Sequence, residues 1–340
     1  MTEPIELTEG ILPGVTAPTI KKIRDANITT VDSLATINPR DLADKAKMSS
    51  ETAEKAVEKA IDLIYNGYIT GNQLWDKRKT RTRLTTGSDA VDEVLAGGIE
   101  SETTTEIAAA NGVGKTQLCH MLAVTAQLPV EQGGLDGDVA WIDTEGTFIP
   151  SRIDQICRAR GYDTEAVLSR IHHGLALNAP HQKHLIGKLY QLCPERNVKL
   201  IIVDSLMGLL RSEYLGRGNL GARQDELKDM LLTLSKVARS TRTTVVYTNQ
   251  VMDNPGVLYG NPERATGGNV MGHAATTRIH LRKGREGARV LRVTKSPYLP
   301  ECEAVFFITE AGIVDAAGGK RRMREVEDDD DSRQKEIEEE

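Results

Sequence analysis

The sequence predicts an α/β fold: a mostly parallel twisted sheet with helices on both faces, preceded by a small all-α unit. Three observations carry this expectation. From Gly87 onward, strand-like apolar runs alternate with helical segments, the order that builds a parallel sheet covered on both faces. Ala109-Ala-Asn-Gly-Val-Gly-Lys-Thr116 sets small residues and a Lys-Thr pair between a strand pattern, Thr103 to Ala108, and a helical one, Gln117 to Leu128. Ahead of both, Ile5 to Tyr65 is helical in pattern, with breaks at Pro13-Gly14, Ala26-Asn27, Asn38-Pro39 and Ser49-Ser50.

In chain order, residues 1–65 read as a helical N-terminal domain. Its opening, Leu12-Pro-Gly-Val-Thr-Ala-Pro-Thr-Ile-Lys-Lys-Ile-Arg24, looks like a helix-hairpin-helix, in which backbone N–H groups meet nucleic-acid phosphates. Thr16 stands where a second glycine is expected, and a plain Pro-Gly turn in a helical bundle is the alternative. Residues 66–86 have no clear period and carry Lys77, Arg78, Lys79, Arg81 and Arg83, which reads as a linker. The α/β core is expected over residues 87–322, with strands at Val139 to Asp143, Leu200 to Asp204 and Thr243 to Asn249. Thr276 to Lys283 and Ala288 to Lys295 alternate around Gly284-Arg-Glu-Gly287, as a β-hairpin does. Residues 323–340 read as a disordered acidic tail, either solubilising or regulatory.

Charge sharpens this division. The chain of 340 residues carries a net charge of −6, but nine acidic and two basic residues from Glu327 to Glu340 give −7, which leaves +1 on Met1 to Val326. A near-neutral body is compatible with local basic loops. The four cysteines, Cys119, Cys157, Cys193 and Cys302, are scattered without a C-x-x-C, which argues for free thiols in a reducing cytoplasm and against a zinc site. Neither a signal peptide nor an apolar run of membrane-spanning length is evident, so the expectation is a cytoplasmic protein with no membrane partner.

The segment from Ala109 to Thr116 is a phosphate-binding pattern. Successive N–H groups and a helix start face an anion, Lys115 reaches the β- and γ-phosphates of ATP, and the Thr116 hydroxyl holds Mg²⁺. Ala109 occupies the first glycine position, which is tolerable where φ stays negative. Leu200-Ile-Ile-Val-Asp204 delivers Asp204 to the metal side of such a site, or is an ordinary strand end. Glu145, just past the neighbouring strand, can orient or deprotonate an attacking water, and Gln250 at the end of the next strand can sense the γ-phosphate.

These segments together resemble the RecA/RadA family of recombinases, most closely its archaeal and eukaryotic members. The resemblance runs over nearly the whole chain and rests on Leu12-Pro-Gly14, Gly97-Gly-Ile-Glu100, Gly114-Lys-Thr-Gln-Leu-Cys-His120, Ile142-Asp-Thr-Glu-Gly-Thr-Phe148, Asp204-Ser-Leu206, Glu213-Tyr214, Gly216-Arg-Gly218, Thr248-Asn-Gln-Val251, Gly267-Gly-Asn269, Gly272-His-Ala-Ala-Thr276 and Leu281-Arg-Lys-Gly284. It implies a RecA-like ATPase core in which Asn111, Gly112, Val113, Gly114, Lys115, Thr116 and Gln117 bind ATP, Thr116 and Asp204 serve Mg²⁺, Glu145 is the catalytic carboxylate and Arg152 packs on the adenine. Gln250 would couple ATP to two DNA loops. The first corresponds to Met207 to Arg223 with Arg211, Arg217 and Arg223. The second corresponds to Met252 to His273 with Asn254, Gly267, Gly268 and Asn269. Glycine-rich loops with delocalised cations suit phosphate contact.

Three departures stand out. The family's Gly-Glu-Phe-Gly-Ser-Gly is Ala109-Ala-Asn-Gly-Val-Gly114 here, and its Phe-x-x-Ala assembly motif is Tyr68-Ile-Thr-Gly71. Lys295 replaces an aspartate that caps the neighbouring subunit's ATP, and its ammonium can supply positive charge there. The implied activity is that of a DNA-dependent ATPase forming filaments on single-stranded DNA and exchanging it with double-stranded DNA. A paralogue or mediator without strand exchange, a ring-forming helicase-like motor and a non-catalytic scaffold remain as alternatives.

Overall fold

The computed structural model describes residues 5–64, 68–253, 263–265, 271 and 274–315. Helices α1 (Ala17–Asp25), α2 (Val31–Thr36), α3 (Pro39–Ala46) and α4 (Ser50–Ile64) begin where side chains cap them or proline starts the turn. The Thr30 hydroxyl accepts the Ser33 N–H and the Asn38 carbonyl accepts that of Arg40, while Asn27 and Lys47 take positive φ at the breaks. On α4, Ala53, Ala56, Val57 and Ala60 form one buried stripe against Ile20, Ile23, Leu34 and Leu42. The helical pattern expected from Ile5 fails before Ala17: residues 5–16 are turns, with one bridge between Glu6 and Thr30, and among the described residues no helix precedes α1. Its Leu7 and Leu12 are buried anchors of a folded loop, which mimic a helical apolar period.

The linker expectation also needs correction. Residues Gly71–Lys79 form helix α5, closed at its start by a reciprocal cap between Thr70 and Gln73. It buries no residue, so there was no apolar stripe to read. Its far end is fastened to the core: Arg78 and Arg81 both donate to the buried Glu100 carboxylate, at 2.9 and 3.0 Å.

Strand β1 (Arg83–Leu84) pairs with β2 (Ile99–Glu100) across α6 (Asp89–Val94). The main sheet then takes β3 (Thr104–Ala109), β4 (Asp138–Asp143), β5 (Ile171–Leu175), β6 (Val198–Asp204), β7 (Thr244–Asp253), β8 (Glu263–Ala265), β9 (Thr277–Lys283), β10 (Arg289–Lys295), β11 (Glu303–Thr309) and β12 (Gly312–Asp315). Its order is β12-β11-β10-β9-β3-β7-β6-β4-β5, with β8 paired to β7. The strands from β9 to β5 run parallel, and β10 to β12 add an antiparallel meander. Helices α7 (Lys115–Thr125) and α8 (Pro150–Arg160), followed by α9 (Thr164–Ser169), lie on the face that receives Ile107, Trp141, Ile202 and Val246. On the other face, α10 (Ala179–Glu195), α11 (Gly208–Glu213) and α12 (Leu220–Ser240) cover Ile142, Ile201, Val203 and Tyr247. Alternate residues of each strand thus serve two cores, which is why these strands read as continuous apolar runs. Among the described residues no helix is long and apolar enough to cross a membrane.

Beneath the phosphate-binding pattern the central strands share a buried charge. Glu106 of β3 is fully buried, accepts from Arg278 of β9 at 2.7 and 3.1 Å, and accepts from the Asn249 amide of β7 at 2.8 Å.

Candidate nucleotide-binding site

The loop between β3 and α7 lies at the carboxyl end of the parallel strands, where open α/β sheets present their sites. Ala109 ends β3 and is absent from the residues with positive φ, so alanine in the first glycine position meets the condition set for it. Gly112 and Gly114 do need φ values of +69° and +124°, and a Cβ on Gly114 would meet the Ile308 side chain at 2.5 Å. No side chain caps the start of α7, so its first N–H groups point outward as anion donors.

Nine of the residues expected to act on ATP converge here. A cavity of about 520 Å³ is lined by Asn111, Gly112, Gly114, Lys115, Thr116, Gln117, Glu145, Thr147, Asp204, Ser205, Gln250, Arg289 and Ile308. The Lys115 ammonium is turned back onto the carbonyls of Ala109 and Ala110, each at 3.1 Å. Burial holds its pKa below the ordinary lysine range, against the pull of Asp204 and Glu145. The Thr116 hydroxyl donates to Asp204 Oδ2 at 2.6 Å, and Asp204 also accepts from the hydroxyls of Thr248 and Thr147. Burial foremost raises the Asp204 pKa, with Glu145 adding to the rise and the Thr116 and Thr248 hydroxyls and Lys115 opposing it. Glu145 Oε1 accepts from the Ser205 hydroxyl at 2.6 Å, and Gln250 Oε1 accepts from Arg211 Nη1 at 2.9 Å.

The segment between β4 and α8 carries Glu145 on a tightly bonded backbone. Asp143 Oδ1 accepts the N–H groups of Glu145, Gly146 and Thr147 at 3.1, 2.8 and 3.2 Å, and Oδ2 accepts that of Phe148 at 3.0 Å. Burial alone would push the Asp143 carboxyl up; these amides, with the His173 ring, outweigh it and hold the carboxyl below its usual range. His120 of α7 takes the next amide, accepting from Ile149 N–H on Nε2 at 3.2 Å while Nδ1 faces the Thr116 carbonyl at 2.8 Å. Burial lowers its pKa to about 4, so near neutral pH the ring carries one proton, on Nδ1.

Other expected residues lie elsewhere. Arg152 does not line the cavity; its guanidinium is tied to the side chains of Gln117 and Gln155 and to the carbonyls of Thr309 and Glu310, so the adenine-packing role is not visible in its contacts. Lys295, opposite Arg278 on the β9–β10 hairpin, donates to the Ala275 carbonyl at 3.1 Å and sits at the far end of the sheet from the loop. The segment read as the first DNA loop holds α11, a short turn over Arg217–Asn219, and the start of α12 with Arg223. Its glycines disguised a segment anchored by buried Leu210. The side chain of Arg217, together with Asn254, Gly267, Gly268, Asn269 and the acidic tail, lies outside the described residues. Tyr68 is fully exposed and Gly71 opens α5. Sequence reasoning missed Arg289, whose Nε donates to the Val113 carbonyl at 2.7 Å and whose strand was read only as one arm of a β-hairpin. It also passed over Ser205, although that residue directly follows Asp204 in a segment already singled out.

Comparison with known proteins gives the same direction. Residues 77–316 match the Rad51 family. The chain is similar to the DNA repair and recombination protein RadA of Ignicoccus hospitalis, 42% identical over 309 residues that span 89% of this chain and 94% of that protein. It is also similar to the DNA repair and recombination protein RadA of Aeropyrum pernix, 41% identical over 304 residues, covering 89% and 95% of the two chains. With a phosphate loop on a mostly parallel sheet, a carboxylate at the end of β6 and a family match that runs from the end of α5 to β12, the chain belongs to the Rad51 family.

Proposed function

We propose that the chain is an ATP-dependent DNA recombinase that assembles on single-stranded DNA, pairs it with homologous double-stranded DNA and is released by ATP hydrolysis. The observation that carries this reading is the single cavity shared by Lys115, Thr116, Glu145, Asp204 and Gln250, with Gln250 bonded in turn to Arg211 of α11. Nucleotide and DNA contacts would then meet at one glutamine.

The oxygen donors at Thr116 and Asp204 suit Mg²⁺, a hard cation, and the raised Asp204 pKa marks a buried carboxylate that a divalent charge would relieve. Among the described residues no group of three or more His, Cys, Asp or Glu could hold a metal by itself, so phosphate oxygens would complete the set. Mg²⁺ held by Thr116 and Asp204 would supply charge neutralisation for the phosphates. Lys115 exchanges its two carbonyls for those phosphates. Glu145, held by Ser205, takes a proton from water as the water oxygen bonds to the γ-phosphorus and the bond to the bridging oxygen breaks. Arg289 adds a cation the sequence did not suggest.

For assembly, the reading pairs exposed Tyr68 of one copy with the free edge of β5 in the next, where Leu175 and Leu177 are exposed. The test is Lys115→Ala, compared with the unmodified chain by nucleotide binding and by electron microscopy with ATP and single-stranded DNA. ATP-dependent filaments that the variant fails to form are expected; rings would favour a motor, and unchanged nucleotide binding in the variant would defeat the site.

A further inference from the structure

We propose that His120 and His173 are positioning residues for Glu145, holding the segment between β4 and α8 from two sides. The five successive N–H groups from Glu145 to Ile149 are all accepted by two side chains, the first four by Asp143 and the fifth by His120. Neither acceptor belongs to the segment it fixes, and each is itself held in place, His120 within its own helix and Asp143 from a neighbouring strand. His120 is anchored on the Thr116 carbonyl of α7. Asp143 Oδ2 receives a hydrogen bond from His173 Nε2 of β5 at 3.3 Å. A carboxylate only accepts, so the His173 proton sits on Nε2 and faces Asp143.

Ring contacts reinforce the same geometry. Phe148 stacks on His120, with centroids 5.7 Å apart and planes 11° apart, and on His173 at 5.0 Å and 26°. The loop that carries Glu145 is therefore fastened through hydrogen bonds and ring faces both to the phosphate-loop helix and to the outermost strand of the sheet. Glu145 touches neither histidine in these hydrogen bonds, so their effect on it passes through the backbone. That backbone sets where the carboxylate stands relative to Ser205 and the cavity, and a displacement of about 1 Å at a reacting group costs up to roughly a hundredfold in rate.

The proposal rests on the reading of Glu145 as the group that activates water. Its test uses the full chain with His173→Leu and His173→Gln, since His173 is about one-third exposed and its loss leaves both cores intact. Amide hydrogen exchange of residues 145–149 is measured alongside ATP turnover. In His173→Leu the exchange should quicken about tenfold and kcat fall about tenfold while KM for ATP stays within about twofold, and His173→Gln, which again donates to Asp143, should recover most of both. Unchanged exchange in His173→Leu, or a loss of turnover matched by a loss of ATP affinity, would overturn the proposal. An unmodified chain that hydrolyses no ATP would sink the reading of the site, and the exchange measurement would still decide whether the histidines hold the loop.

Discussion

Acid should destabilise the nucleotide-free fold through His120, by an amount that can be worked out. The ring is 1% exposed. Burial lowers its pKa from 6.5 to about 4, with Arg152 acting in the same direction and the Thr116 carbonyl and Asp143 against it. Because the folded value lies below the unfolded one, the unfolded chain binds the proton first as pH falls. The stability associated with the neutral ring is thus complete above pH 6.5 and is lost progressively down to about pH 4. The gap between the two values corresponds to roughly 3 kcal/mol in total, of which about 2 kcal/mol is gone by pH 5. His120→Gln can donate and accept in the same place but cannot titrate. Urea denaturation of both proteins at pH 7 and pH 5 isolates the effect: the advantage of the unmodified chain over the variant should shrink by about 2 kcal/mol. An advantage equal at the two pH values would refute the reasoning.

Tyr68→Ala should shift the protein toward monomers in light scattering while its circular dichroism stays the same, because the exposed ring contributes nothing to either core; an unaltered size distribution would remove Tyr68 from the subunit contact. Arg217→Ala should weaken single-stranded DNA binding evenly across sequences and flatten the dependence of log K on log salt by about 0.7. The same slope in variant and parent would make Arg217 a bystander. Lys295 should make DNA-stimulated turnover nearly indifferent to potassium or sodium at matched ionic strength, and Lys295→Asp should lower turnover and create a potassium preference. Strong potassium activation of the unmodified chain would rule out its capping role.

How much of the site was legible depends on where its residues lie along the chain. Lys115, Thr116, Glu145 and Asp204 each sit at or just beyond a strand end, Gln250 lies within β7 level with Ala109 at the end of β3, and a parallel sheet brings such positions together whatever the details of packing. Order along the sequence was enough to gather them. Arg289 enters the cavity only because β10 runs antiparallel and starts beside Val113, a fact of sheet order that periodicity does not contain. His120 lies within an apolar helical run and reads as a core residue; its two hydrogen bonds depend on α7 and the Ile149 amide meeting in space. Helix α5 escaped notice for the opposite reason, since it buries nothing and is held by its cap and by charges on Glu100.

The buried Glu106, bonded to Arg278 and Asn249, acts as a check on assembly order. The three residues come from strands far apart in the chain, and any sheet that separates β3 from β7 or β9 strands a carboxylate in an apolar interior, at a cost of about 3–5 kcal/mol. Strand order is proofread by charge. The loop from Ala109 to Thr116 follows β3 directly, so the strand that carries it is braced by an arginine 172 residues later in the chain.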